Sequence, residues 1–350
     1  MTRMVFNDFD EFADAMRGIS GRFVPTARSQ ADWYIQVATL GRIDLQELQI
    51  GGAATYAGDG TPNTLTLGIP MRESNRIRID GHALEDNSLI YLKRDQPFTF
   101  AARQLTHWAG ITIALESGNR HRELFDAEQV MARLDRGTRA QTDPAHLARL
   151  RRLVTGISEA KEQGAFNEQS ASNAAEQEVL MAVLNTIDAS SATLDKHVGR
   201  PQVSRSRVIS RTLDLLEARQ RKPLFIDDLC VATEVSERTL RNVFQEYFGV
   251  GPMRFLKVRQ LLEIRAALLA GDPSQDTVTR IAARFGVWDF SLFARNYKAL
   301  YGESPSQTLR RPPRAHDPAL SATWIGYAAR MFGDIEGLIP DDGGDSVVLR

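Results

Sequence analysis

Apolar and polar positions divide the chain into stretches of different period. Phe6, Phe9, Phe12, Ala13 and Met16 recur at helical spacing and predict a short helix over 6–16, packed on the first domain. From about Asp32 to Glu116 the pattern shortens. Runs such as WYIQVATL, RIDLQELQI, TLTLGIP, SLIYLK and GITIALE are separated by Gly, Pro, Asn and Asp clusters, which predicts a β-sandwich or barrel over 30–120. Residues 121–195 read as helical, with apolar stripes in HLARLRRLVTGI (146–157) and AAEQEVLMAVLNTI (174–187). The polar stretch between them, 158–173, reads as a loop. Residues 196–206 read as a linker, because Gly199-Arg200-Pro201 opposes a continuous helix. Short helices then follow one another over 207–311. An amphipathic piece, ATWIGYAARMF (322–332), precedes a Gly/Asp-rich tail expected to be disordered. The expected domains are therefore 1–200, 201–314 and a terminal piece, 315–350.

Composition adds little until it is divided by region. The chain has 350 residues, 43% hydrophobic and 25% charged, an ordinary globular balance. No apolar run approaches the ~18 residues of a membrane span, and MTRMVFNDFDEFADAMRG lacks a signal-peptide core. The expectation is a cytoplasmic protein with no membrane partner. The one cysteine, Cys230, excludes an intrachain disulfide and any multi-cysteine metal site, and its apolar surroundings predict a small buried residue. The net charge of −1 conceals an asymmetry. Residues 201–314 hold 19 Lys/Arg and 12 Asp/Glu, net +7, which leaves the rest at −8. A basic segment beside an acidic one suits a phosphate-binding module on a non-binding partner domain, although a chance solvated surface gives the same count.

The chemistry concentrates in 225–252, FIDDLCVATEVSERTLRNVFQEYFGVGP. Asp227–Thr233 reads as a helix, Glu234–Val235 as a turn, and Ser236 as the N-cap of a second helix. On that second helix Leu240, Val243, Phe244 and Tyr247 share one face. Arg238, Arg241, Asn242 and Gln245 share the opposite one. Arginine bonds guanine O6 and N7 in the major groove, while Asn and Gln match adenine N6 and N7. The alternative is a charged face left in solvent. The pattern recurs over 278–305: Phe244 corresponds to Tyr297, Phe248-Gly249 to Tyr301-Gly302, and Pro252 to Pro305, each 53 residues on. Leu229-Cys230 corresponds to Ile281-Ala282, 52 on, so the second turn is one residue longer. A repeated helix-turn-helix outweighs either copy alone. In the second copy Asp289 caps the helix, Phe293, Tyr297 and Leu300 bury, and Ser291, Arg295 and Lys298 point out. Phe290 either touches a thymine methyl or packs. Between the copies Pro252 opens a helix to about Leu269, some 27 Å long at 1.5 Å per residue, close to one DNA turn of ~34 Å.

Residues 207–311 resemble the DNA-binding domain of AraC/XylS-type transcription regulators, in which two helix-turn-helix units are joined by a long helix and end in a Phe/Tyr-Gly-x-Ser-Pro signature. DLCVATEVSERTL and IAARFGVWDFSLFARNYKALYGESPSQTLR match that pattern along nearly its full length. The resemblance implies base contacts from Arg238, Arg241 and Asn242 in the first unit, and from Phe290, Ser291 and Arg295 in the second. One departure stands out: the family usually carries Gly in the first turn, where this chain has Glu234, while the second turn keeps Gly286. If the backbone there needs positive φ, glutamate costs about 1 kcal/mol.

The same resemblance implies an N-terminal β-rich domain of cupin type, followed by helices, that binds an effector and dimerises. Residues 32–200 are similar in texture, and DGHALEDNSLIYLKRDQPFTF resembles the strand-turn-strand pattern. The implied fold class is α+β. The implied function is a sequence-specific DNA-binding transcription regulator, an activator responding to a small-molecule effector. A repressor or an architectural protein without effector is the alternative. Implied partners are double-stranded DNA, RNA polymerase, a small-molecule effector and a second copy of the chain. Of six histidines (His82, His107, His121, His146, His197, His316), no two form an HxH pair, so no metal site is expected. Neither a nucleophilic cysteine in an accessible loop nor a Gly-rich nucleotide loop appears, so no enzyme and no cofactor are expected. Trp33, His107 and Trp108 are candidates for lining an effector pocket, with packing as their alternative role.

Overall fold

Side-chain alternation along the central strands sets the architecture of the N-terminal half. The computed structural model describes residues 3–72, 77–93, 98–115, 138–166, 168–192, 205–219 and 224–311. Two antiparallel sheets form there. The larger runs in the order β1 (Met4–Phe6), β3 (Trp33–Leu40), β4 (Ile43–Ile50), β11 (Thr106–Ala114), β6 (Thr64–Pro70), β9 (Ser88–Lys93), β12 (Arg139–Gln141) and β13 (Ser191–Ala192). The smaller runs β2 (Ile19–Pro25), β5 (Ala54–Gly60), β10 (Phe98–Ala102), β7 (Ile77–Ile79) and β8 (His82–Ala83). Leu48, Ile50, Ile90, Leu92 and Trp108 turn towards the small sheet. Leu45, Leu65, Leu67, Leu89 and Ile111 of the same sheet turn the other way, onto two helices. A slip of one residue would exchange the two cores, so both faces hold the register.

Those helices are α2 (Pro144–Glu162) and α3 (Gln169–Asp188), preceded in the chain by α1 (Phe9–Ala15). Leu147, Leu150 and Val154 of α2 and Val179, Leu180 and Val183 of α3 pack on the large sheet. The stripes read from the sequence lie within these helices. The polar loop expected over 158–173 is shorter, since α2 continues to Glu162 and α3 already starts at Gln169. Polar residues on the solvent faces of both helices hide their period. Two further corrections concern boundaries. Strands β1 and β2 precede residue 30, and the segment 121–195 contains β12 and β13, which extend the sheet edge beyond β9. Strands β1, β12 and β13, of two or three residues, are too short to leave a period, and β2 buries five consecutive residues, Gly21 to Pro25, so it shows no alternation. Parts of the expected organisation fall outside the described residues: 116–137, 196–204, the 315–350 piece, and His121, His197 and His316.

The C-terminal half is helical: α4 (Arg205–Ala218), α5 (Ile226–Thr233), α6 (Glu237–Tyr247), α7 (Pro252–Leu269), α8 (Val278–Arg284), α9 (Phe290–Tyr301) and α10 (Pro305–Leu309). One cluster joins α4–α6 and the start of α7; another joins the rest of α7 with α8–α10. The two halves touch. Val24 and Ala57 of the small sheet enter the first helical cluster. Thr55 Oγ1 donates to Phe248 O at 3.1 Å, and the Arg254 guanidinium donates to Thr26 O at 2.7 Å. Arg265 of α7 meets Asp8 and Asp10 at the start of α1.

Candidate nucleic-acid interface

The first helix pair is closed by local chemistry. Asp228 accepts from Phe225 N at 2.9 Å, fixing the start of α5, and this bond, with help from Arg219, holds its carboxyl below the usual range. Helix α5 ends on Glu234 at φ 56° and ψ 31°, the left-handed region. The backbone takes this conformation despite the absence of glycine. An exposed pair from Arg211 to Glu234, at 3.1 Å, offsets little of the strain. Ser236 Oγ then accepts from Thr239 N at 3.3 Å and starts α6. Leu240, Val243, Phe244 and Tyr247 are buried, as the pattern requires.

The opposite face of α6 places Arg238, Arg241 and Asn242 together in solvent. Arg241 is held by an ion pair to Glu237, one turn earlier on the same helix. Gln245 behaves differently. It is half-buried, and its Nε2 donates to Gly249 O at 2.8 Å, so its amide N–H is used inside the protein.

The second pair repeats this plan with different residues. Thr277 Oγ1 accepts from Arg280 N at the start of α8, and Gly286 takes φ 76° in the turn. Asp289 Oδ1 accepts from Leu292 N at 2.9 Å and starts α9. Phe293 and Tyr297 are buried, and Tyr297 Oη donates to Thr308 Oγ1 at 2.9 Å. Ser291, Arg295 and Lys298 share the exposed face. Phe290 is half-buried against the core of this unit, which favours packing over a base contact. Trp288, just before the cap, is exposed, and no periodicity marks it in the sequence.

Helix α7 connects the units and spans the residues expected of it, Pro252 to Leu269. It is buried on several sides at once, including Arg259 and Arg265, which explains why it lacks a single apolar stripe. Arg259 Nη2 donates to Leu216 O at 3.2 Å and pairs with Glu263 at 2.7 Å. The first contact ties the spacer to α4, and the second lies within the spacer helix itself.

The sandwich interior holds a cavity of about 60 Å3 between the two sheets. Phe23, Tyr56, Phe98 and Phe100 line it from the small sheet, Leu48, Ile90 and Trp108 from the large one, and Met16 from the end of α1. Of the three pocket candidates only Trp108 reaches this wall. Trp33 is buried beside it, stacked edge-on against Phe12 and Phe23, with its indole N–H donating to Ser29 Oγ. His107 lies on the other face of β11, near Tyr34; burial, with Arg72 and Arg3 nearby, pushes its pKa down. Among the described residues no three His, Cys, Asp or Glu converge as metal ligands, and no helix is long and apolar enough to cross a membrane.

Residues 229–311 match the family model described as a helix-turn-helix domain. A probable thc operon regulatory protein of Rhodococcus erythropolis is 36% identical over 113 residues, 32% of this chain and 34% of that protein. A XylDLEGF operon transcriptional activator of Pseudomonas putida is 33% identical over 103 residues, 29% of this chain and 32% of that protein. The chain thus aligns with only about a third of the length of these relatives. Among solved structures, the AraC-like transcriptional activator CuxR aligns over 75% of this chain and 94% of its own, with 13% identity and a TM-score of 0.41. ToxT from Vibrio cholerae aligns over 77% and 98%, with 14% identity and a TM-score of 0.28.

Proposed function

We propose that the C-terminal third is a helix-turn-helix DNA-binding domain of the AraC/XylS type and that the whole protein is a sequence-specific transcription regulator answering to a small-molecule effector. One observation carries the reading: two capped helices, α6 and α9, each bury one face and expose the other, on a spacer of DNA-turn dimensions. Arg238, Arg241 and Asn242 read one major-groove segment, and Ser291 and Arg295 read the next. Lys298 sits further along α9, where a point charge suits phosphate. Gln245 and Phe290 support their own units rather than the bases.

Residues 1–200 form the effector and dimerisation domain in this reading, and 201–314 the DNA-binding domain. The cavity between the sheets is the effector site. Its aromatic and aliphatic wall suits an effector with an apolar body. The protein acts in the cytoplasm as a dimer and as an activator working with RNA polymerase. An architectural role without effector leaves the cavity unused.

The test is binding of the full-length protein to randomised duplexes, followed by enrichment. The expected result is a defined consensus, with affinity falling steeply as salt rises because phosphate contacts release counterions. Binding without any sequence preference would overturn the reading.

A further inference from the structure

Counted from the left-handed residue to the N-cap of the second helix, the second helix-turn-helix turn is longer than the first by one residue, Trp288. In each unit a left-handed residue follows the first helix, Glu234 at φ 56° and Gly286 at φ 76°. A valine follows and packs into the core, Val235 in the first unit and Val287 in the second. In the first unit the next residue is the cap, Ser236. In the second, Trp288 intervenes before the cap, Asp289.

That insertion frees the indole from structural duty. A residue just before an N-cap commonly packs against the fourth helical residue. Val235 takes this position in the first unit and shares a cluster with Leu240. In the second unit Val287 joins Phe293 in the core instead. Trp288 is left 81% exposed, the most exposed large hydrophobic side chain among the described residues, whereas Trp33 and Trp108 are each 6% exposed.

Its neighbours say what covers it. Trp288 adjoins the N-terminal end of α9, the helix that presents Ser291 and Arg295 to solvent. The N-terminal residues of a recognition helix are those that reach base edges. In the major groove the apolar group on offer is the C5-methyl of thymine. We infer that Trp288 is a specificity residue that packs its indole on a thymine methyl at the edge of the segment read by α9. This rests on the DNA-binding reading above.

The test uses the full-length protein and an enriched duplex. Thymines in the segment assigned to α9 are replaced one at a time by deoxyuridine, which lacks only the methyl group. At one position the wild type should bind about fourfold more weakly, the transfer free energy of one methyl-sized group expressed as an equilibrium constant. Trp288→Ala should bind the parent duplex at least about tenfold more weakly and show no further loss with deoxyuridine there. Arg295→Ala should keep the deoxyuridine effect, because it loses a different contact. Thermal unfolding of Trp288→Ala should match the wild type, since the side chain supports nothing.

Deoxyuridine that is neutral at every position, or a Trp288→Ala variant that remains sensitive to it, would overturn the inference while leaving DNA binding intact. So would a variant that binds normally but fails to activate transcription, which would assign the indole to a protein partner. A wild type that selects no duplex would defeat the DNA-binding reading itself.

Discussion

Replacing Asp8 with asparagine removes one charge from the most buried ion pair joining the two halves of the molecule. Arg265 Nη2 lies 2.5 Å from Asp8 Oδ2, and Arg265 Nη1 lies 3.4 Å from Asp10 Oδ2. The side chains of Arg265 and Asp8 are 5% and 3% exposed. The guanidinium is enclosed by the rings of Phe9 and Tyr301, at 4.8 and 5.3 Å. Burial alone would lower the arginine pKa, but Asp8 and Asp10 outweigh it and hold the pKa above its ordinary value. Breaking a buried pair by removing one partner costs about 3–5 kcal/mol. Asp10 remains as a second partner, and asparagine can still cap α1, where Asp8 Oδ1 accepts from Asp10 N at 2.9 Å. The expected loss therefore lies near the lower end, about 3 kcal/mol. Urea unfolding followed by circular dichroism measures it for Asp8→Asn, Arg265→Met and the double variant. The double variant should lose less than the sum of the singles, because it leaves no arginine stranded. A loss below about 1 kcal/mol for Asp8→Asn, with strict additivity, would refute the buried-pair account.

Other outcomes follow from single residues. Glu234→Gly should stabilise the chain by about 0.5–1 kcal/mol in the same assay, since relief of left-handed strain exceeds the exposed pair with Arg211; a destabilised variant would contradict this. Arg241→Ala should cost about 1–3 kcal/mol on the selected site and relax preference at one base pair. Lys298→Ala should instead weaken all sequences evenly and lower the salt slope by about one; the same loss of preference in both would merge their roles. Burial, with Asp227 and Glu237 nearby, pushes the Cys230 thiol up. At neutral pH less thiolate is present than in the unfolded chain, so iodoacetamide should react more slowly with native protein and the native rate should midpoint at higher pH. Equal midpoints in native and urea-unfolded protein would sink that claim.

The helical half was legible because its signals are local. The caps Ser236 and Asp289, the opening Pro252 and the 53-residue repeat each depend on a few neighbouring residues. The resemblance raised positive φ at Glu234 only as a condition, and the backbone there meets it at φ 56°. What escaped was long-range or rotameric. The cavity wall draws residues from seven strands, and no window of sequence places Phe23 opposite Trp108. Asp8 and Arg265 are 257 residues apart. The period of α6 puts Gln245 with Arg238 and Arg241, yet its side chain bends back to Gly249 O. Trp33, His107 and Trp108 were indistinguishable as sequence; only strand register separates the residue facing the cavity from the one on the opposite face.

The central claim is that one chain reads DNA with both helix-turn-helix units. Hydroxyl-radical footprinting of the full-length protein on its enriched duplex tests it most directly. Two protected segments per chain, about one helical turn apart, are expected. Arg241→Ala should weaken protection in one segment, and Arg295→Ala in the other. A single protected segment that both substitutions weaken alike would contradict the account.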